Sequence, residues 1–553
     1  MKIKFQGIKQ VAILGMVILL ALSGRAYLLE GGEVLAAETA REMLETGNFI
    51  RPQFNFLPAW AQLPLYAWLQ AFCLQVFGTG TFAVRLPNAI SGILTIFLLF
   101  RLGTLLYNPR FGLIWSAAFI SGLLPLFYLS TGIEAPWSSL LLFTSLVYLI
   151  LFYWKNGQSI LLLNWPTSRY LYLGGLLAGF ASLMRGPEVI ILLAAVLGVY
   201  WLYKNLRFYI SVQQFFLFFS LALLVPLIWL SVDGVLHGPD AALAIPLRQW
   251  QLFAVAPEGE QKIWFFYFAL FLLGYFPASI FALQALLVRS EYSGDIEDET
   301  VEQNDFRRWM KMFLWTALIF YTLRSAKAPH YAFPVIFPVS YLAAWTIHRI
   351  LIGRLILDRW LFFALGGVGI LILGVTALQA WPALLSGIPG IWMPEIPEGI
   401  ESGRFYPPYL LLVFVLGIPG FLAWKKLRSG LWWAGIRMIF IAATAFSLSE
   451  IIFFLPPATV KAYGPVVEFA RSKAGEDCYV YPYKFEHYGT LFYAGKKGNA
   501  HPRSGEQDWL LFGEADKPVY YIARTRDAAE LSGYTHIEEL YKRGGYVFFM
   551  RVR

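Results

Sequence analysis

Long apolar runs separated by short polar turns recur along most of this chain of 553 residues. Runs of about 17 to 25 apolar residues each span roughly 30 Å of hydrocarbon as a helix. The pattern predicts membrane-crossing helices at residues 10–29, 84–106, 111–130, 135–154, 171–184, 188–203, 214–232, 263–287, 310–325, 331–348, 360–381, 407–424 and 431–454. The apolar stretch 63–78 is too short to cross and reads as interfacial or re-entrant, a conformation tolerated where protein buries its backbone. Beyond residue 456 the pattern changes. Charges rise, and the short runs CYVYPY, TLFYAG, VYYIAR and YVFFMR read as strands beside a helical stretch, AYGPVVEFARSKA.

Composition agrees with this division. The chain is 58% hydrophobic and 14% charged, against about a quarter charged in soluble proteins. A β-barrel is unlike it, since barrel strands are about ten residues long and alternate in polarity. The expected fold class is therefore a polytopic α-helical membrane protein with about thirteen transmembrane helices over 1–455 and a small α/β domain over 456–553. The first outer loop covers 30–83. Lys2, Lys4 and Lys9 precede an apolar run without a clear cleavage site, so the first helix reads as an uncleaved signal anchor.

Charge placement sets the topology. With the N-terminus in the cytoplasm, one set of turns carries Arg110, Lys155, Arg169, Lys204, Arg207, Arg289, Arg307, Arg308, Lys311, Arg349, Arg354, Arg359, Lys425, Lys426 and Arg428. The opposite loops carry Glu33 to Glu45, Glu134, Asp233, Asp240, Glu258, Glu260, Glu395, Glu398 and Glu401. This is the positive-inside bias. An odd number of crossings leaves the α/β domain extracytoplasmic, and the expected location is the plasma (inner) membrane. The net charge of +9 is absorbed by this topology and does not call for nucleic acid. Cys73 and Cys478 are the only cysteines. They form neither a disulfide framework nor a cysteine metal site.

Candidate chemistry lies on the outer face. GGEVLAAETAREMLETGNFIRP, residues 31–52, follows the first helix with Glu33, Glu38, Glu42 and Glu45 beside Arg41 and Arg51. Residues 34–46 are expected to be helical and to end at Gly47, a favoured C-cap residue. An amphipathic helix on the membrane surface is one reading of Glu42 and Glu45. Glu33 is expected before the helix, at an apolar boundary where a carboxylate can act as a base. Glu134, in STGIEAPW, starts a membrane helix on the same face. Arg185 sits in a very short outer turn, LMRGPE. RSAKAPHY, residues 324–331, packs Arg324, Lys327 and His330 into one turn. Carboxylates near cations at a lipid–water boundary suit transfer of a group from a phospholipid carrier to a hydroxyl.

These motifs resemble, in order, those of the GT-C integral-membrane glycosyltransferases, in the branch of aminoarabinose lipid A transferases and protein mannosyltransferase-like proteins. The first-loop run matches the family's REML-containing helix. FGTGTFAVRLPNAISG, LMRGP and SAKAPHYAFPVIFPVSYLAA match its later segments. The chain departs from the pattern where the family's first-loop Asp, taken as its base, falls on Gly32. The family's F-E-K-P segment falls on Trp60, Ala61, Gln62 and Leu63, and its basic residue before Phe falls near Leu252, close to Arg248, Gln249 and Gln251. Its Lys in the third motif is Arg185, and its third-loop carboxylate is Glu134.

The resemblance implies a GT-C fold and transfer of a sugar from a polyprenyl-phosphate donor to an extracytoplasmic lipid, glycan or protein acceptor. Glu33 and Glu134 would be catalytic. Arg185, Arg248, Lys327 and His330 would hold phosphate, and Tyr331 would line the site. No metal ligand is identified, and a divalent metal is the one cofactor in view. The competing reading is a non-catalytic GT-C scaffold that binds a polyprenyl lipid or a partner protein, favoured by the missing Asp, Glu and Lys. A transporter is disfavoured, because few carboxylates lie mid-span and no repeated halves are seen.

Overall fold

The structure, a computed structural model, describes residues 9–10, 12–19, 27–59, 62–156, 167–207, 210–254, 264–287, 299–355, 359–379, 408–498, 501 and 503–552. The first loop forms α1 (Gly32–Thr46), a two-stranded hairpin of β1 (Gln53–Phe54) and β2 (Leu57–Pro58), and α2 (Pro64–Phe77). Then follow α3 (Thr81–Leu106), α4 (Pro109–Ile120), α5 (Leu123–Leu129), α6 (Ala135–Asn156), α7 (Thr167–Arg185) and α8 (Glu188–Tyr203). Next come α9 (Val212–His237), α10 (Pro239–Ala254), α11 (Phe266–Gly274), α12 (Ala278–Leu287) and α13 (Val301–Leu323). A 3-10 turn, Pro329–Val335, leads into α14 (Ile336–Leu351), α15 (Arg359–Gln379), α16 (Pro408–Arg428) and α17 (Trp432–Ser449).

All the expected spans after the first coincide with helices, while only 12–19 of the first lies among the described residues. Among the described residues, five helices are by themselves long and apolar enough to cross a membrane, or up to seven if each bent pair counts as one span. The bent pairs are α4–α5, at 77°, and α11–α12, at 118°. The two breaks interlock. A Cβ on Gly122 would lie 2.6 Å from the Tyr275 ring, and one on Gly274 would lie 2.8 Å from Leu124. Only glycine lets the two backbones approach so closely. The expected outer loop 382–408 and the residues Glu258 and Glu260 lie outside the described residues, as do Trp60 and Ala61.

The C-terminal portion forms a four-stranded sheet flanked by helices. Its elements are α18 (Leu455–Ser472), β3 (Tyr479–Tyr483), α19 (Gly489–Ala494), α20 (Gln507–Phe512), β4 (Val519–Arg524), α21 (Thr525–Ser532), β5 (Ile537–Arg543) and β6 (Tyr546–Arg551). The strand order is β3-β4-β6-β5, with β3 parallel to β4 and the other pairs antiparallel. Gly544 and Gly545, both at positive φ, close the β5–β6 hairpin. TLFYAG is a helix rather than the expected strand, ending at Gly495 in the left-handed region. So short an apolar run carries no periodicity that separates the two states. Here packing of Phe492 and Tyr493 against the first loop favours helix.

That packing also revises the reading of α1 as a surface helix. Glu33, Glu38, Arg41 and Glu42 are all buried. Val34, Ala37 and Ala40 pack with Ala71 and Leu74 of α2 on one side and with Val467, Ala470, Phe492 and Tyr493 on the other. Charged partners are supplied within the layer. Arg41 holds Glu38 through two hydrogen bonds of 2.7 Å. Glu42 accepts from the Phe56 N–H at 2.8 Å, and Lys496 reaches Asn55 at the hairpin tip at 2.5 Å. Farther along the loop, Arg51 makes a buried bidentate pair with Asp233 of α9, at 2.9 and 2.6 Å.

Glu30 closes the contact with the C-terminal portion. Its carboxylate accepts from the Tyr488 and Gly489 N–H groups and lies 3.5 Å from His487 Nε2. Burial pushes the Glu30 carboxyl up to about 7, opposed by those backbone N–H groups. The folded state therefore holds this proton more tightly than the unfolded chain. The resulting stabilisation is complete below the ordinary carboxylate range and is lost as pH rises through about 7. The melting temperature in detergent is expected to fall between about pH 5 and about pH 8, and Glu30→Gln to flatten that decline. An equal slope in both proteins would refute this role for Glu30.

Candidate active site

The site is built around a loop, residues 131–134, that enters α6 and carries Glu134. Three buried side chains hold it. Glu33 Oε1 accepts from the Gly132 N–H at 2.8 Å. Gln70 Nε2 donates to the Gly132 carbonyl at 3.1 Å. Asn88 Nδ2 donates to the Thr131 and Ile133 carbonyls, each at 2.6 Å. These supports come from α1, α2 and α3, so the loop's geometry depends on the docking of the first outer loop.

Glu33 has a different place from the one expected. It lies in the first turn of α1, not before it, and is 2% exposed. Arg85 of α3, 1% exposed, donates to it through Nε at 2.7 Å and Nη2 at 3.1 Å. The Leu29 N–H donates to Oε2 at 2.7 Å. Arg85 Nη2 also donates to the Tyr27 carbonyl at 2.7 Å. Each oxygen of Glu33 thus accepts two hydrogen bonds, one of them from a guanidinium. A carboxylate so engaged is poorly placed to collect a proton, and the geometry fits it as a positioning residue.

Glu134 contrasts with it. The residue is half-buried at the N-terminal end of α6. No hydrogen bond or ion pair of its carboxylate is formed among the described residues. It lies close enough to interact electrostatically with Arg185, Tyr66 and Tyr331. The Tyr66 phenol, buried in α2 beside Asn88, is pushed well above the usual tyrosine range by burial and then by the charges of Glu134 and Glu33.

A cationic group faces this carboxylate. Gly186, at φ 95°, ends α7 and turns the chain into α8. Arg185 donates from Nε to Glu188 Oε1 at 2.5 Å and from Nη2 to the Tyr331 carbonyl at 2.5 Å. Arg324 pairs with the other oxygen of Glu188. One buried carboxylate thus serves two guanidiniums, leaving an excess positive charge. Arg185 Nη1 and Arg324 Nε are buried and have no hydrogen-bond partner among the described residues. The Tyr331 ring flanks both cations, 3.5 Å from Arg324 Cζ and 5.6 Å from Arg185 Cζ. Unfilled guanidinium donors in a low-dielectric site suit an anionic oxygen.

The other expected phosphate ligands are placed differently. Lys327 turns back on the end of α13, where its ammonium donates to the carbonyls of Tyr321, Thr322 and Arg324. It acts there as a helix C-cap. His330 is enclosed beside Tyr128 and Tyr331. Burial, and then repulsion from Arg185 and Arg324, pushes its imidazolium down to about 3, so at neutral pH it is a neutral hydrogen-bonding group and not a cation. Arg248 is exposed on α10 and donates to Gln251 at 3.2 Å. Its neighbour Gln249 is the residue that meets the turn, with Oε1 3.1 Å from a Cβ built on Gly186. The same construction at Gly32 reaches Ile133 Cγ2 at 3.9 Å, so position 32 borders the Glu134 loop.

Arg85, Glu188, Gln70, Asn88 and Tyr66 were not singled out as site residues from the sequence. A signal existed for the first two, since a charge within an apolar helix needs a partner at its own depth. Among the described residues no three His, Cys, Asp or Glu side chains gather as a metal-binding group.

Comparison with known proteins follows the same lines. Residues 61–230 match the family model described as dolichyl-phosphate-mannose-protein mannosyltransferase. The chain is 26% identical over 442 residues to the undecaprenyl phosphate-alpha-4-amino-4-deoxy-L-arabinose arabinosyl transferase of Pectobacterium atrosepticum, covering 76% of this chain and 70% of that one. It is 26% identical over 499 residues to the corresponding protein of Pectobacterium carotovorum, covering 85% and 81%. ArnT from Cupriavidus metallidurans, solved with undecaprenyl phosphate, shares the fold with a TM-score of 0.72 at 17% identity, covering 99% of this chain and 98% of that one. The archaeal oligosaccharyltransferase AglB from Archaeoglobus fulgidus, in complex with an inhibitory peptide and a dolichol-phosphate, aligns with a TM-score of 0.50 at 12% identity, covering 95% and 70%. The chain thus shares the fold of ArnT and is similar in sequence to the aminoarabinose transferases and, over residues 61–230, to the protein mannosyltransferase family model.

Proposed function

We propose that this protein is a membrane glycosyltransferase that moves a sugar from a polyprenyl-phosphate donor to a lipid acceptor on the outer face of the membrane. Glycan and protein acceptors are the finer alternatives. The reading places the N-terminus in the cytoplasm of a plasma-membrane protein with about thirteen spans and the α/β portion outside. The observation that carries it is an unengaged carboxylate, Glu134, within electrostatic reach of Arg185, which shares Glu188 with Arg324, the buried donors Arg185 Nη1 and Arg324 Nε having no partner among the described residues.

In this arrangement Glu134 takes the proton of the acceptor hydroxyl. The acceptor oxygen bonds to the anomeric carbon as the carbon–oxygen bond to the phosphate breaks. The leaving polyprenyl phosphate keeps the bonding electron pair, and its negative charge is met by Arg185 and Arg324. Glu33 acts on the loop rather than on the substrate, through its bond to the Gly132 N–H. Tyr331 keeps the two guanidiniums in register. Lys327 and His330 shape the turn that carries Arg324.

A comparison of lipid extracts from cells with and without the protein is expected to show loss of one sugar-modified lipid by mass. Unaltered extracts, together with retained polyprenyl-phosphate binding by the purified protein, would support the scaffold reading instead. Glu134→Gln is expected to lower kcat about a hundredfold or more with the fold intact. Gly32→Asp added to Glu134→Gln places a carboxylate beside the same loop and is expected to recover part of the lost rate. Normal turnover in Glu134→Gln would remove it as the base. Glu33→Gln is expected to lower both stability and activity, because it leaves the Arg85 charge buried without compensation, a loss of about 3–5 kcal/mol. Full thermal stability with abolished transfer in Glu33→Gln would return the base role to Glu33. Arg324→Lys, which keeps the charge but loses the fork, is expected to raise KM for the donor about tenfold.

A further inference from the structure

A cavity of about 200 Å³ lies between the first outer loop and the C-terminal portion. Phe54 and Asn55 of the β1–β2 hairpin form one wall, and β3 with the segments on either side of α19 forms the other. The cavity shares no lining residue with the site around Glu134. Two of its polar side chains are incompletely partnered among the described residues. His487 is 4% exposed, and neither ring nitrogen makes a hydrogen bond, Nε2 approaching Glu30 only to 3.5 Å. Burial pushes its imidazolium down to about 4, so the ring is neutral near pH 7. Lys496 donates to Asn55 Oδ1 at 2.5 Å and to Ser504 Oγ at 2.8 Å, both neutral, which leaves one ammonium hydrogen over and no carboxylate in contact. Burial pushes this ammonium down to about 8, opposed by the charges of Glu42 and Glu38. Of those two acids, Glu38 is held by Arg41, and Glu42 is itself pushed up to about 8 by burial and then by Glu38.

The remaining lining charges balance except for one. Lys473 pairs with Glu476 at 3.1 Å and Lys517 with Asp477 at 2.8 Å. Lys496 and Lys497 are left against a single further carboxylate, Glu486, which accepts from the Tyr488 hydroxyl at 2.8 Å. Four lysines thus stand against three carboxylates. We propose that this cavity binds one carboxylated sugar ring, a uronic acid unit of a glycan. Size argues for a single ring, because a cavity of about 150 Å³ holds one benzene. Phe54, Tyr481 and Tyr488 give the space aromatic walls, whose electron-rich faces suit the C–H face of a pyranose. Charge selects the carboxylate. One surplus positive charge matches a monoanion, whereas a phosphate monoester brings about −1.5 to −2. A neutral sugar would leave the Lys496 charge without a counterpart. The ring hydroxyls meet the nitrogens of His487, which an aromatic acid without hydroxyls would leave unpaired. This inference rests on the proposed function only for the outward placement of the C-terminal portion. Binding is read without transfer, so the two fail separately.

The full chain, purified in detergent, is titrated with methyl β-D-glucuronide, with methyl β-D-glucoside and with the phosphate monoester of that glucoside, and bound sugar is read by saturation-transfer NMR. The wild-type protein is expected to bind the glucuronide about tenfold more tightly than the glucoside, and more tightly than the phosphate. Lys496→Gln, which keeps donors for Asn55 and Ser504 but removes the charge, is expected to abolish that preference. Lys497→Glu, at an exposed position of the cavity rim, is expected to weaken the glucuronide about tenfold and leave the glucoside nearly unchanged. Equal affinity for glucuronide and glucoside in the wild-type protein would overturn the proposal, as would tighter binding of the phosphate. So would an unchanged preference in Lys496→Gln, or, should that variant not fold, in Lys497→Glu. Transfer assayed in Lys497→Glu identifies the ring as part of the acceptor if activity falls with glucuronide binding, and as a separately bound glycan if it does not.

Discussion

The buried pair between Glu33 and Arg85 is the constraint on which the site depends. Arg85 is almost inaccessible within a long apolar helix, and a guanidinium there must find a carboxylate or leave its charge uncompensated. The carboxylate comes from the first turn of α1, so α1 has to lie against α3. The remaining lone pairs of Glu33 take up the Leu29 and Gly132 N–H groups. One ion pair thus fixes the exit of the first helix, the seat of the first outer loop and the loop that presents Glu134. Pairs of this kind add little net stability over an apolar replacement, but they penalise every arrangement in which they are not formed.

Charge is arranged asymmetrically on either side of the Glu134 loop. Beneath it, one arginine and one glutamate balance. Beyond it, Arg185 and Arg324 share Glu188, and the surplus positive charge faces the loop. The carboxylate that stays outside both clusters is Glu134. Such separation lets one acid serve structure and another serve chemistry within a short distance, as their hydrogen-bond environments dictate. With Glu33 committed to Arg85, a glycine at position 32 leaves space against Ile133, at the edge of the loop that carries Glu134.

Much of the membrane architecture was legible because bilayer thickness imposes a length on each apolar run, and twelve runs became helices at the expected places. The helix at 34–46 and its end at Gly47 were legible from local chemistry, and Gly47 adopts the left-handed cap at φ 69°. What could not be read was which charges meet. Lys327 looked like a phosphate ligand because it is a cation in an outer turn, yet helix-end carbonyls of its own segment compete for its ammonium. Glu33 read as a base at an apolar boundary because its partner, Arg85, lies 52 residues away. The TLFYAG segment is helical because packing against the first loop decides its state. These differences share a cause: periodicity reports burial and local caps, whereas pairing across elements depends on tertiary geometry.

The most direct test of the account is a structure of the protein with a bound polyprenyl phosphate. The account predicts the phosphate within hydrogen-bond distance of Arg185 Nη1 and Arg324 Nε, with Glu134 facing the open side and the Glu33–Arg85 pair unchanged. A phosphate held by Lys327 instead, away from Arg185 Nη1 and Arg324 Nε and with Glu33 released from Arg85, would contradict it.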